Sequence, residues 1–154
     1  MDIPTTNAAV NEPRLKVAVL IPCLNESACI AGVVEGFKSA IPDASIYVYD
    51  NASSDDTSAV AERSGAKVRR EPTRGKGNVV RRMFADVDAD VYVLVDGDGT
   101  YDAASAPAMI ELLTNQHLDM VCGKRVDSEA QAYRAGHRFG NRVLTWLVGV
   151  LFGD

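Results

Sequence analysis

The chain has 154 residues, 47% hydrophobic and 24% charged, an ordinary globular composition with enough length for one compact domain and a real core. Its net charge of -5 and pI near 5.0 argue against a nucleic-acid partner, which calls for a basic excess. Three cysteines with no CxxC pair argue against a disulfide framework or a zinc site and point to a reducing cytoplasm.

Residues 1–14 are polar, carry Pro4 and Pro13, and lack the basic-then-apolar order of a signal peptide, so they read as a flexible tail. The first strand is predicted over residues 15–22, LKVAVLIP, apolar on both faces as a central parallel strand requires. A helix is predicted over 27–40, with Ile30, Val33, Val34, Phe37 and Ile41 on one stripe. The second strand is SIYVYD, residues 45–50. Asp55 and Asp56 open the next helix at its positive end, with Ser53 and Ser54 as capping residues, and Gly65 closes it. A short strand over 66–70 precedes the segment Arg74-Gly75-Lys76-Gly77 and a helix through 79–84. The strongest strand is VYVLVD, residues 91–96. Pro107 suits the first turn of a helix ending near Asn115, and residues 119–123 form a last short strand in which Cys122 is buried.

Strands and helices alternating at this spacing predict an α/β fold, a Rossmann-like parallel sheet with helices on both faces. In such a sheet the ligand crevice lies beyond the carboxyl ends of the strands. Those ends carry Pro22-Cys23-Leu24-Asn25-Glu26, Asp50-Asn51 and Asp96-Gly97-Asp98. Asp96 and Asp98, one residue apart after a buried strand, can share a divalent cation, and hard oxygen ligands suit Mg²⁺ or Mn²⁺. A solvated acidic turn explains the same residues when taken alone, and the preceding VYVLV favours the site. Asp50 can accept bonds from a base or ribose, which predicts a role in recognition rather than folding. Lys76 lacks the spacing of a P-loop and stands open between a phosphate contact and a solvated lysine.

Arg134, His137, Arg138 and Arg142 precede or enter the apolar run VLTWLVGVLF. It fits either a core helix or an interfacial one, with Trp146 and Phe152 at a membrane surface. At ten residues the run is too short to span a bilayer.

Taken in order, these segments resemble family 2 glycosyltransferases, in particular the polyprenyl-phosphate glycosyltransferases related to dolichol-phosphate mannose synthase. IPCLNE resembles an IPxxNE opening, YDNASSDDT a VDDGSxDGT segment, and RGKGNVVRRMF a GKGxAxxxG segment. VLVDGDGTY resembles a DxD strand end, CGKR a GxR segment, and HRFGN an SRxxN segment. The resemblance implies a glycosyltransferase-A fold and inverting transfer from a UDP- or GDP-sugar to an acceptor, a lipid phosphate. It also implies a cytoplasmic protein, peripheral at the inner face of the membrane. By the same resemblance Pro22, Leu24, Glu26, Asp50 and Asn51 line the base and ribose, and Asp96 and Gly97 the ribose and diphosphate. Asp98 holds the metal with Asp96, Arg125 meets donor phosphate, and Arg138 meets acceptor phosphate. The catalytic pair is then Asp98 and Arg138.

Three residues depart from that pattern. Asn51 replaces an Asp, Thr100 a metal-holding Gln, and His137 a Ser. The expected division is a tail over 1–14, a nucleotide-sugar domain over 15–136, and the start of an acceptor-side helix over 137–154. The family pattern continues past that point, so a C-terminally truncated chain is expected. A donor-binding fragment without transfer activity is one alternative. A sugar nucleotidyltransferase is another, although PCLNE stands where its GxGTR-like loop belongs.

Overall fold

A computed structural model describes residues 15–124. The tail over 1–14, Arg125, Arg138 and the apolar C-terminal segment lie outside the described residues. The elements are β1 (Val17–Cys23), α1 (Ile30–Ala40), β2 (Ser45–Asp50), α2 (Thr57–Arg63), β3 (Lys67–Arg70), α3 (Lys76–Asp86), β4 (Val91–Leu94), a 3-10 turn (Ala103–Ser105) and α4 (Ala106–Asn115). The four strands form one parallel sheet in the order β3-β2-β1-β4.

The unbroken apolar run of β1 places it second from one edge, covered on both faces. Val19, Ile21 and Cys23 pack with Ile30, Val34 and Phe37 of α1, Ala61 of α2 and Ala106 of α4. The alternate residues Ala18 and Leu20 face the other way, onto Val79 and Met83 of α3. The α1 stripe is thus the buried one, and its three core side chains each contribute about 1.5–3 kcal/mol through burial. The opposite face is covered more thinly. Tyr47 and Tyr92 are only partly buried there, with Phe84 edge-on to Tyr92 at 5.1 Å and Lys67 over the Tyr47 ring at 5.0 Å. The edge strand β3 carries Lys67, Arg69 and Arg70, charges that discourage pairing with another chain.

The chain runs from β1 outward through β2 to β3, then crosses to the other side of β1 to make β4. The strand order thus reverses between β1 and β4, and a doubly wound sheet takes its ligand at the carboxyl ends beside such a reversal.

Several boundaries differ from the sequence reading. Residues 27–29 form a turn, and α1 begins at Ile30. The third helix starts earlier than 79, at Lys76, and runs to Asp86. β4 pairs only to Leu94, and Asp96 lies in the following loop. Residues 119–123 form no strand, because a strand needs a ladder partner and none of the described strands supplies one. Cys122 is accordingly exposed, not buried.

Candidate functional site

The parallel register sets Cys23 beside Asp50, so the loops leaving β1 and β2 start as neighbours. Asn25 turns the first loop with a positive φ of 58°, and its amide donates to Ser53 Oγ at 2.9 Å. The Glu26 amide donates to Thr57 Oγ1 at 2.9 Å, and the Ser27 amide to Asp55 Oδ2 at 3.2 Å. In return the Ser54 amide donates to Asn25 Oδ1 at 2.8 Å. The serines with Asp55 and Asp56 were expected to cap α2, and Asp55 Oδ1 does accept the Thr57 amide at 3.1 Å. The residue at its N-cap is Asp56, which makes no side-chain cap bond. Adjacent strand-end loops leave backbone amides without ladder partners, and these short polar side chains satisfy them across the gap. Asp55 also accepts from the Thr57 hydroxyl at 2.5 Å, and chiefly through that bond its pKa is lowered to about 2.

Asp50 is 1% exposed. Its Oδ1 accepts the Ser53 amide at 2.8 Å, its Oδ2 accepts the Ser58 hydroxyl, and Arg70 Nε lies 3.8 Å away. Burial pushes its pKa up, but the bonds from Ser53 and Ser58 outweigh this and leave it below the ordinary carboxylate range. These bonds tie the carboxylate into the fold, a structural part beside the recognition expected of it. Asn51 is 5% exposed and equally engaged. Its Nδ2 donates to the carbonyls of Glu71 at 3.0 Å and Thr73 at 2.8 Å, and its Oδ1 accepts the Gly75 amide at 2.8 Å. That use of both amide ends explains the departure from Asp, since a carboxylate cannot donate to two carbonyls. Glu71, which the sequence reading overlooked, completes the brace by accepting the Thr73 amide at 2.7 Å and Arg82 at 3.2 Å.

The braced loop delivers Lys76, the first residue of α3, to the crevice. Its Nζ lies 2.5 Å from Asp96 Oδ1. The hydrogen bond to Asp96 is the main reason its pKa is raised. Across from it, Gly97 presses on the β1 loop. A Cβ added there would sit 2.2 Å from Glu26 Oε2 and 2.5 Å from Cys23 Sγ, so this close approach requires a glycine. Glu26 Oε2 is buried without a hydrogen-bond partner among the described residues. Burial raises the pKa of Glu26, the neighbouring Cys23 thiol opposes this, and Asp98 and Asp96 raise it further. Burial, followed by the charge of Glu26, pushes the Cys23 thiol far up, so it is an inert packing group. Asp98 is exposed, and its Oδ1 accepts both the Thr100 amide at 3.0 Å and the Thr100 hydroxyl at 2.7 Å. Leu24 is 45% exposed and Tyr101 is 49% exposed, leaving apolar surface on the loops of the two strand ends. Pro22 is buried within β1, opposite Tyr49.

The structure therefore brings Glu26, Lys76, Asp96, Gly97 and Asp98 together and turns Asp50 and Asn51 inward as braces. No group of three or more His, Cys, Asp or Glu side chains among the described residues closes around a metal position by itself. The residues present fit an open metal site. Asp96 and Asp98, the first of them paired with Lys76, offer the oxygen donors that a hard cation would take if phosphates and water supplied its remaining ligands. No helix among the described residues is long and apolar enough to cross a membrane.

The family model of Glycosyl transferase family 2 matches residues 18–147. Protein RfbJ of Shigella flexneri is 59% identical over 123 residues, covering 79% of this chain and 95% of that protein. A dolichyl-phosphate hexose transferase of Haloferax volcanii is 28% identical over 137 residues, covering 89% of this chain and 60% of that protein. Among solved structures, glucosyl-3-phosphoglycerate synthase from Mycobacterium tuberculosis in complex with Mg²⁺ and uridine diphosphate superposes with a TM-score of 0.61 at 25% identity. The match covers 90% of this chain and 50% of that one, so the chain spans about half the length of the synthase. The chain belongs to glycosyl transferase family 2, and its sheet is of the glycosyltransferase-A type.

Proposed function

We propose that this chain binds a nucleotide sugar in the crevice between β1 and β4 and serves an inverting glycosyl transfer, with a lipid phosphate as acceptor. The observation that carries the reading is the packing of Asp96-Gly97-Asp98 against Glu26 at the point where the strand order reverses. Leu24 offers apolar surface for the base, and Glu26 carries a buried, unpartnered oxygen beside it for a donor hydroxyl. Lys76 stands within reach of a diphosphate. Asp96 and Asp98 would hold Mg²⁺ or Mn²⁺, and the ion when bound supplies charge neutralisation at the departing diphosphate. Thr100 holds the Asp98 carboxylate in one orientation through two hydrogen bonds.

In the transfer an acceptor oxygen bonds to the anomeric carbon while the bond to the donor diphosphate breaks. The nucleoside diphosphate leaves with that electron pair, and the configuration inverts. A lipid phosphate is already anionic at neutral pH, so positioning and charge neutralisation replace a strong general base. The motif resemblance and the similarity to a dolichyl-phosphate hexose transferase support that acceptor class. A phosphorylated lipid would place the protein at the cytoplasmic face of a membrane, with Arg125 and Arg138 toward phosphate groups.

Calorimetry of the 154-residue chain with UDP-glucose and GDP-mannose, with and without Mn²⁺, tests the donor site. Metal-dependent binding of one donor is expected. Asp98→Ala should remove the metal-dependent part and, in a transfer-competent form, lower turnover by about 10²-fold or more. Unchanged Mn²⁺-dependent affinity in that variant refutes the assignment. Product formation with polyprenyl phosphate tests the acceptor, and donor binding without product would restrict the reading to a donor-binding role.

A further inference from the structure

We infer that Lys76 is the resident counter-cation of the acidic crevice, holding Asp96 in the ligand-free chain and passing its charge to the donor diphosphate when a metal takes that carboxylate. The inference rests on the donor-site reading above. Three observations lead to it.

The first is the ion pair itself. Lys76 Nζ and Asp96 Oδ1 are 2.5 Å apart, so one of the two carboxylates assigned to the metal already carries a cation. An incoming dication must approach Asp96 against that ammonium, and charges separated by a few ångströms repel strongly even where solvent screens them. The ammonium and the metal therefore compete for the same oxygen.

The second is the combination of a fixed backbone and a loose head. Gly75 is held at a positive φ of 128°, and its amide is bonded to Asn51 Oδ1 at 2.8 Å. Asn78 closes the turn, its amide donating to the Gly75 carbonyl at 2.9 Å and its Nδ2 to the Arg74 carbonyl at 3.1 Å. The Lys76 side chain beyond that anchored start is 64% exposed. A four-carbon stem rooted this firmly can carry its charge from one acceptor to another with only rotamer changes, leaving the loop in place.

The third is the charge of the crevice. Glu26, Asp96 and Asp98 converge around Gly97, and Glu26 buries an unpartnered oxygen there. Lys76 lowers the mutual repulsion of these groups while the crevice lacks a metal. Once metal and diphosphate are both present, the ammonium is surplus on Asp96 and favourable on the phosphate. Metal and nucleotide binding are thereby coupled, because each one makes a better place for the charge the other displaces.

The distinguishing consequence is a pair of effects of opposite sign from one substitution. Lys76→Met keeps the length of the stem and removes the charge, and Lys76→Arg keeps the charge. Each full-length protein is titrated with Mn²⁺ alone, then with UDP and with GDP at saturating Mn²⁺, after melting curves establish folding. Lys76→Met should bind Mn²⁺ alone about tenfold more tightly than the parent. Its nucleoside diphosphate affinity at saturating Mn²⁺ should fall by about tenfold. Lys76→Arg should stay near the parent in the Mn²⁺ titration. Equal, weaker or undetectable Mn²⁺ binding by Lys76→Met overturns the counter-cation role. If no variant binds UDP or GDP, the donor-site reading fails and with it the transfer to phosphate. The Mn²⁺ comparison decides the hold on Asp96 by itself.

Discussion

Replacing Asn51 with Asp changes one atom's chemistry and almost no volume, so it isolates the brace beneath the crevice. In the parent, Nδ2 donates to the carbonyls of Glu71 and Thr73, and Oδ1 accepts the Gly75 amide. The aspartate keeps the last bond and loses both donors. Two carbonyls are then left facing a carboxylate oxygen at a position 5% exposed. Each lost bond is worth about 1 kcal/mol net, and leaving buried acceptors unsatisfied adds to this, for a total of about 3 kcal/mol at neutral pH. In a domain of this size that is a fall in Tm of about 6–12 °C. The penalty should depend on pH in a defined direction. Burial and the facing carbonyls raise the folded-state pKa of the new carboxyl above its unfolded value of about 3.9. Protonation restores one donor, so the deficit is smallest below about pH 4 and grows as pH rises through the folded pKa. Urea denaturation of parent and variant across pH 3.5–8 reads the difference directly. Equal midpoints at neutral pH, or a deficit that does not change with pH, would refute the reasoning.

Gly97→Ala puts a methyl group against Glu26 Oε2 and Cys23 Sγ at less than contact distance. It should cost about 1–3 kcal/mol in chemical denaturation and abolish Mn²⁺-dependent nucleotide binding by calorimetry. Asp50→Ala leaves the half-buried Ser53 amide and Ser58 hydroxyl without their acceptor. A loss of about 2–3 kcal/mol by urea denaturation is expected, and an unchanged midpoint would restore a purely ligand-facing role. Thr100→Val removes the hydroxyl that fixes Asp98 but spares the backbone bond. Mn²⁺ affinity in the presence of UDP should fall on the order of tenfold, with the Tm nearly unchanged.

The sequence shows the architecture through period and punctuation. The two-faced apolar run of β1, the 30-33-34-37 stripe of α1 and Pro107 at the start of α4 are local signals, and each matches the structure. The strand-end rule also marked segments whose Glu26, Asp96 and Asp98 come together in the structure. The strand expected over 119–123 failed because a strand is a property of a pair, and the ladder partner is not written in the run itself. The brace was illegible for the same reason. Asn51, Glu71 and Gly75 are spread along the chain, and no period links them. Asn at a position where the resembling family has Asp was a visible signal. Its meaning, a side chain that both donates and accepts, shows only in the structure.

What separates ligand-facing from structural residues at these strand ends is exposure, which motif spelling does not encode. Asp50 ends β2 and Asp98 lies in the loop after β4, in segments that both resemble donor-site motifs. Asp50 follows a strand flanked on both sides, by β1 and β3, and its loop must satisfy amides from β1 and reach back to Ser58. Its oxygens are consumed by the chain. Asp98 follows β4, across the reversal from the rest of the sheet, and its Oδ1 is oriented by a residue two positions away. The carboxylate beyond β4 stays open to solvent, and the one that ends β2 is tied to the loop it braces. Lys76 joins the two sides, rooted through Gly75 in the Asn51 brace and reaching with its charge to Asp96. A defect in the buried brace should therefore appear at the crevice as a misplaced cation before it appears as a missing ligand contact.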